Sequence, residues 1–588
     1  AKIERYTQIQ VNGTLNYKDT FKDKHNLDVM VGSEYFGYNE FMMEAKTQNS
    51  PTDDIPTLNA GASRTSTKSE KTGYRIASVF GRVNYNYQMK YLLSLVARYD
   101  GISRLKDNRW GFFPGVSVGW NVTEEDFWKE SKISEVISNI KPRLSYGVNG
   151  NVNGIGNFDI YGIYKQIGAG NYDGATAYYN SSLINTGLRW EQSRSFEAGL
   201  DLGFFNNRLS FIFDYYNRTT DDLLTDVNLP AYTGFSSMKT NLGKLRNSGF
   251  EMEVRANILS NAKGFNWEVS ANLTSVSNKV LKLPTSDKPF NQIDGYEVAA
   301  GLYNPETGET PTKWIGGYRE GGKLGDMIGY VQNHIFRDWN DVKANANMVI
   351  DEVANLYGPG MANEINPQTG VTYAESNGWK PIEPGDVCWE DINKDGKINS
   401  LDRAVVGNIF PKVTGGFSTT LSYKNWSLYA RFDYALGHTI YNDLKARSLG
   451  QYQGQFNIID KVHDTWSETN PDTDLPVFTY ADQLNKKNIT RSNNGNTAVD
   501  NNSSRFYEKG DYLALREITL SYSLPKKWIG KAGMQDASVY VTGQNLFYIT
   551  GYDGVSPEPA VSTVYGRGID NGRYPTPRTL LFGLSVTF

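Results

Sequence analysis

The 588-residue chain has one cysteine, Cys388, so no intrachain disulfide can staple it. No apolar run approaches the roughly 18 residues that a membrane-spanning helix needs, and the mean hydropathy is -0.51, which excludes a helical membrane protein. An excess of basic charge is also missing: 60 Lys and Arg stand against 64 Asp and Glu, a net charge of -4 that gives no electrostatic footprint for nucleic acid. The four histidines, His25, His334, His438 and His463, show no HExxH or other paired metal spacing and read as ordinary loop residues. No export signal precedes the first strand, although a protein of the outer membrane must be exported; the expectation is a processed chain, or one whose gene product starts before Ala1.

What the chain does have is aromatics, at 13%, with 57 Gly, 38 Tyr and a strict period of two at its end. Residues 579 to 588 read TLLFGLSVTF, with Leu580, Phe582, Leu584, Val586 and Phe588 on one face. That is the pattern of a closing transmembrane β-strand, and Phe582, Leu584, Val586 and Phe588 are its membrane-insertion signal. In water such a row would invite aggregation. A barrel escapes the hydropathy test because only alternate residues face lipid.

The same alternation recurs upstream. Val539 and Val541 lead to Leu546 and Phe547, while Ile518, Leu520, Tyr522 and Leu524 form the strand before. Phe417, Thr419, Leu421 and Tyr423 turn at Lys424 and Asn425 into Leu428, Ala430, Phe432 and Tyr434. Phe196 to Leu202 turn at Asn206 and Asn207 into Leu209 to Tyr215, and further runs start at Ile9, Leu27, Val79, Leu93, Val116, Leu144, Phe250 and Trp267. The fold class expected is all-β, a transmembrane antiparallel barrel with about 15 strands in this chain, each near 9 to 11 residues.

With Phe588 ending in the periplasm, the short turns near 22–26, 88–90, 205–207, 260–265, 424–425 and 525–536 are periplasmic. A longer periplasmic connection, 123–141, carries a helix-start pattern at Thr123 and Asp126. The external loops are then 38–75, 149–191, 220–247, 276–411 and 437–509. An even strand number is the rule for single-chain barrels, so an odd count with Ala1 outside leads to the expectation that an odd number of strands precedes it.

Several long segments resemble the SusC-like TonB-dependent transporters of Bacteroidetes outer membranes: RYDGISRL (98–105), GFFPGVSVGWNVTEEDFW (111–128), the run from Leu188 to Leu224, GDYLALREITLSYSLP (510–525), VTGQNLFYITGYDGVSPEP (541–559) and RYPTPRTLLFGLSVTF (573–588). The resemblance implies a 22-stranded barrel with a plugged lumen, so 22 less about 15 leaves about seven strands, again an odd number. It also implies TonB-energised import of oligosaccharides or peptides, a SusD-like surface lipoprotein as lid, a bacterial outer-membrane location among its lipids, and room for a dimer of transporter and lid pairs. Neither a plug nor a TonB-contacting segment is found in these residues, and 1–588 reads throughout as barrel wall and loops.

One motif is chemically sharp. In DINKDGKINSLD (391–402), Asp391, Asn393 and Asp395 hold positions 1, 3 and 5 of a calcium loop, Gly396 the turn at 6, the Lys397 carbonyl 7, Asn399 9 and Asp402 12. Calcium needs six to eight oxygens, and this spacing supplies them, although Asp at position 12 is a shorter bidentate ligand than Glu. The bland alternative is a solvated Asn/Asp/Gly turn. Calcium here would order the external loop rather than catalyse, with Asp386 as a possible outer ligand.

Other signals point away from chemistry. Gly115-Val-Ser-Val-Gly119 matches a nucleophile elbow, but Ser117 lies inside an alternating strand and not at a strand-to-helix turn. No nucleophile, acid pair or catalytic metal site emerges, so an enzyme is not expected. Trp110, Trp120, Trp128, Trp190 and Trp267 fit interfacial girdles. For the loop aromatics Tyr172, Tyr178, Tyr179, Trp314, Tyr318 and Tyr330, sugar stacking and an interfacial girdle both stay open, and these six are the candidate substrate contacts. Asp221 and Asp222 read as solvated strand ends. Importer, passive pore or receptor, and secreted glycan-binding β-protein are the competing functions.

Overall fold

The computed structural model describes residues 1–588 other than 53, 163, 173–174, 230, 286–290, 451–459, 479–502, 559–567 and 573. Fifteen strands form one antiparallel sheet: β1 (Lys2–Phe21), β2 (His25–Gln48), β3 (Ser63–Tyr87), β4 (Tyr91–Ile102), β5 (Trp110–Trp120), β6 (Ile137–Asn151), β7 (Glu191–Phe204), β8 (Leu209–Asn228), β9 (Ser237–Ala262), β10 (Phe265–Lys282), β11 (Val413–Tyr423), β12 (Trp426–Leu436), β13 (Tyr512–Ser523), β14 (Asp536–Thr550) and β15 (Thr579–Thr587). Their order in the sheet is their order in the chain. Among the described residues no helix is long and apolar enough to cross a membrane.

The chain divides into two compact units, Ala1–Met252 with Asn278–Thr285, and Glu253–Ser277 with Ser286–Phe588. In the first, the register lines up Tyr85, Leu93, Val118, Leu144, Ala198 and Tyr215 rung by rung on one face. One residue along, Asn84, Ser94, Ser117, Ser145, Glu197 and Tyr216 line the other. In the second unit, Trp267, Leu421, Leu428, Leu520, Val541 and Phe582 make the equivalent apolar row. Phe582 is 78% exposed. A row of large apolar groups facing away from any protein core is stable only against lipid, since each square ångström in water costs about 25 cal/mol.

The short turns hold their corners in the left-handed region: Lys22 and Asp23, Gln88 and Met89, Asn206 and Asn207, and Lys424 all have φ between 51° and 59°. That conformation matches the right-handed twist of the flanking strands and fixes the register from the turn outward. The connection 122–135 contains a short helix, Asp126–Lys129, between two 3-10 turns. Thr123 caps none of them; Ser131 does cap the second 3-10 turn, accepting from the Ile133 N–H at 3.2 Å.

Two expectations are corrected. β2, β3 and β9 run to 24, 25 and 26 residues, well beyond the 9 to 11 that cross a bilayer, so much of 38–75 and 220–247 is ladder rather than loop. Hydrogen-bonded pairing continues where the side chains turn polar, as at Lys68, Glu70 and Lys71. Trp190 is not a girdle residue: it is buried edge-on to Phe113 beside Ile102, Leu105 and Leu188, and its indole N–H donates to the Arg109 carbonyl at 3.0 Å.

Candidate functional site

The segment between β10 and β11 is a folded body. The helix Trp339–Ala346 buries Val342 and Ala346 against Phe336, Leu356, Ile382 and Cys388. Its start is fixed by Asp338, whose carboxylate accepts from the N–H groups of Asn340 and Asp341 at 2.7 and 2.9 Å. A second cluster packs Tyr330, Ile335, Val387, Trp389 and Ile398.

The loop 391–402 hangs from this core by Ile398, which is buried and paired through Lys397–Ile398 to Ile350–Asp351. Its backbone turns at Gly396, where the spacing put the turn. Gly396 takes φ +79°, where a side chain would be strained, and its N–H donates to Asp391 Oδ2 at 2.8 Å. Asn399 caps the turn Ser400–Asp402 by accepting from the Leu401 N–H at 2.8 Å. Asp402 is buried and accepts from the Ile392 N–H at 2.9 Å and the Asn399 N–H at 2.8 Å. Asn393 is buried too, and its amide donates to Thr310 Oγ1 at 2.9 Å. Burial pushes the Asp402 carboxyl up to about 7 against the two N–H groups that lower it, with Asp391 and Asp395 adding repulsion. Burial likewise raises Asp391. Among the described residues no three acidic, histidine or cysteine side chains gather around a point where a metal could sit. The carboxylates are instead spent on backbone donors. Asp386 is buried and accepts from the Glu383 N–H at 2.9 Å.

The aromatic candidates separate. Tyr330 is 1% exposed, packed edge-on to Trp389 with the Arg403 guanidinium above it, so it cannot touch a substrate; its pairing inside the strand Asp326–Tyr330 puts it in the core. Trp314 lies half-buried on a small hairpin opposite Glu297, and Tyr318 is exposed. Tyr178 and Tyr179 are exposed on the hairpin Tyr164–Tyr172 and Ala175–Asn180. The side chain of Tyr172 lies outside the described residues, as does much of 437–509. The register puts Tyr164, exposed and not among the sequence candidates, on the same face as Tyr178, one rung pair away. Asp221 and Asp222 are not free strand ends: Asp221 pairs with Lys244 at 2.7 Å and Arg194 at 3.1 Å, and Asp222 with Arg189 at 2.6 Å.

The polar face of the wall is laced with charge pairs. In the first unit Arg98 bridges Glu34 and Asp100 at 2.9 and 2.7 Å, and Arg143 bridges Asp201 and Asp214 at 3.1 and 2.6 Å. In the second, β13 bulges at Arg516: Glu517 pairs with Arg431 and Leu515 with Phe432, leaving Arg516 extra. Its guanidinium takes both oxygens of Asp433, the Tyr548 hydroxyl at 3.0 Å and Glu558. The sequence carried a signal for this in the slip of apolar parity from Leu513 and Leu515 to Ile518 and Leu520.

An antiparallel sheet with an apolar band on one face, charge pairs on the other, tight turns at one end and a folded body at the other defines the wall of a membrane β-barrel. Residues 3–307 match the family described as TonB dependent receptor-like, beta-barrel, and the chain belongs to that family. It is 30% identical to TonB-dependent receptor P3 of Formosa agariphila over 587 residues, 98% of this chain and 52% of that protein. With TonB-dependent receptor SusC of Bacteroides thetaiotaomicron it shares 29% over 533 residues, 88% of this chain and 45% of the relative. It matches the fold of the RagAB peptide transporter at a TM-score of 0.73 and 23% identity, covering 100% of this chain and 56% of that one. The chain thus spans about half the length of the curated relatives it matches. The SusC-like resemblance read from the sequence stands, and the family is one of outer-membrane receptors and transporters rather than enzymes.

Proposed function

We propose that this chain forms the wall and external loops of an active, TonB-dependent importer of oligosaccharides that works with a SusD-like lipoprotein lid. The observation that carries this is the relationship to SusC along 88% of the chain, joined to a lipid-facing wall with a large folded external body. Exposed Tyr164 and Tyr178 on one hairpin face favour sugar, because aromatic faces pack on the apolar faces of pyranose rings. Peptide import by the same mechanism is the second reading, favoured by the fold shared with RagAB. Uptake of fluorescent oligosaccharides and oligopeptides by cells with and without the gene, and with and without TonB, tests these. Sugar uptake lost in both mutants is expected. Uptake that survives loss of TonB would make the protein a passive pore, and peptide uptake alone would replace the substrate class.

We further propose that Asp391, Asn393, Asp395, the Lys397 carbonyl, Asn399 and Asp402 bind one structural calcium ion. Six of twelve positions carry the required oxygens, and Gly396 adopts the turn that such a loop needs. Replacing Asp391 and Asp395 by Ala should remove one bound calcium per chain and speed amide exchange across 387–403. Unchanged calcium content would refute it.

A further inference from the structure

The polar face of the second unit contains a cavity of about 470 Å³, lined by Ser270, Asn272, Ser418, Arg431, Asp433 and Arg516. That volume falls within the range of small-molecule sites. Two features of the wall create it. Strand β11 has Gly416 on this face, in register with Asn272 and Asp433, and a Cβ there would come within 2.7 Å of the Phe432 carbonyl. Interior strand glycines mark sites of close approach, as do bulges, and the bulge of β13 swings Arg516 to the cavity's edge.

The lining is an array of donors and acceptors. Ser270 and Ser418 share a hydroxyl contact at 3.2 Å. The Asn272 Oδ1 accepts from the Gly416 N–H at 3.0 Å, and its amide nitrogen has no hydrogen bond among the described residues. Arg516 is fully committed to Asp433, Tyr548 and Glu558, so it anchors the wall rather than waiting for a ligand. Arg431 is different: its side chain is 56% exposed, and its ion pair with Glu517 is loose, at 3.9 Å.

Charge decides the ligand class. Arg431 and Arg516 face Asp433, Glu517 and Glu558, two cations against three carboxylates, so no positive excess is left to hold a carboxylate or sulfate. A hydroxyl group donates to one partner and accepts from another without adding charge. We propose that this cavity is a binding subsite for one uncharged sugar unit, with Arg431 and Asn272 donating to its hydroxyls and Asp433 and Ser418 accepting from them. The subsite rests on the oligosaccharide reading above. It assigns to the wall, not only to the external loops, a share in holding the substrate during passage.

The test uses the full chain purified in detergent, with maltohexaose, cellohexaose and xylohexaose as neutral probes, hexagalacturonate as the acidic one and a hexapeptide mixture as control, by calorimetric titration. At least one neutral hexaose should bind, and Arg431→Ala should weaken it about tenfold, the worth of one charge-assisted hydrogen bond. Ser418→Val, which keeps strand propensity and fills the cavity, should weaken it by a similar factor. Equal binding by both variants, or binding of hexagalacturonate alone, overturns the subsite. If cells still import sugar while both variants bind like the parent, the subsite fails and the importer stands; if only peptides bind, both fail.

Discussion

Cys388 offers a direct reading of how firmly the body between β10 and β11 is folded. The thiol sits in the strand Val387–Trp389, paired with Gln332–Ile335, and is 7% exposed beside Phe336, Val342 and Leu356. Burial pushes it up to about 12, with the Asp341 carboxylate adding to the shift. At pH 8 the thiolate, which is the reacting species, is then on the order of a thousandfold scarcer than in a free cysteine of pKa about 8.5. The neutral thiol is favoured by the fold, so its contribution to stability is complete below about pH 8.5 and is lost as pH rises toward 12. Leu356→Ala removes a side chain with 0% exposure from the same cluster and should cost about 3 kcal/mol. Opening of the body then becomes roughly a hundredfold more frequent. The assay is maleimide labelling of detergent-purified protein between pH 6 and 10, with far-ultraviolet circular dichroism to verify that the strands persist. In the parent the labelling rate should climb about tenfold per pH unit past pH 9. In Leu356→Ala it should rise at every pH and level off near 8.5, because modification now proceeds through the opened form. Parent protein labelled as fast as unfolded chain, or a variant indistinguishable from the parent, would refute the packing argument.

Three further outcomes follow from the geometry. Phe582→Arg places a charge on the lipid row of β15 and should destabilise the wall by about 2–4 kcal/mol, seen as a lower unfolding midpoint in detergent. Glu125→Ala removes the acceptor shared by Lys90 Nζ, the Tyr91 hydroxyl and the Trp120 indole N–H, at 3.0, 2.7 and 3.1 Å; amide exchange in 121–136 should accelerate while that of β13 to β15 does not change. Paired replacement of Tyr164 and Tyr178 by Ala should lower oligosaccharide affinity about tenfold without altering the unfolding midpoint, and an unchanged affinity would remove the hairpin from the substrate path.

The wall was legible because lipid imposes a period of two that no internal packing blurs: the apolar row ending at Phe582 matches the register across β10 to β15. Strand ends were not, since a ladder outside the membrane needs only backbone groups, and Lys68 and Glu70 pair as well as valines do. Trp190 and Tyr330 show the limit for aromatics. A girdle ring, a sugar platform and a core residue share one letter, and only the neighbours, Phe113 for one and Trp389 with Arg403 for the other, separate them. For the loop 391–402, spacing foretold the turn at Gly396, because it is local; the cap at Asn399, read from the sequence only as a calcium ligand, was not anticipated. Arg516 was missed because its significance lies in a slipped parity, which a search for regular alternation reads as noise.

Ser275 and Val413 form a rung of the ladder between β10 and β11, although 137 residues separate them in the chain. The two stems of the intervening body therefore stand one strand spacing apart, about 4.8 Å. Such a body is a cassette with a fixed plug-in point. Beyond that rung it is held by the segment after β12, where Met327 packs with Tyr441 and Phe506 and the Tyr507 hydroxyl donates to the Ile328 carbonyl at 2.9 Å. Transplanting the stretch 276–412 between relatives, together with its partners Tyr441, Phe506 and Tyr507, should carry over whatever specificity that stretch holds, leaving the host wall as the same chassis.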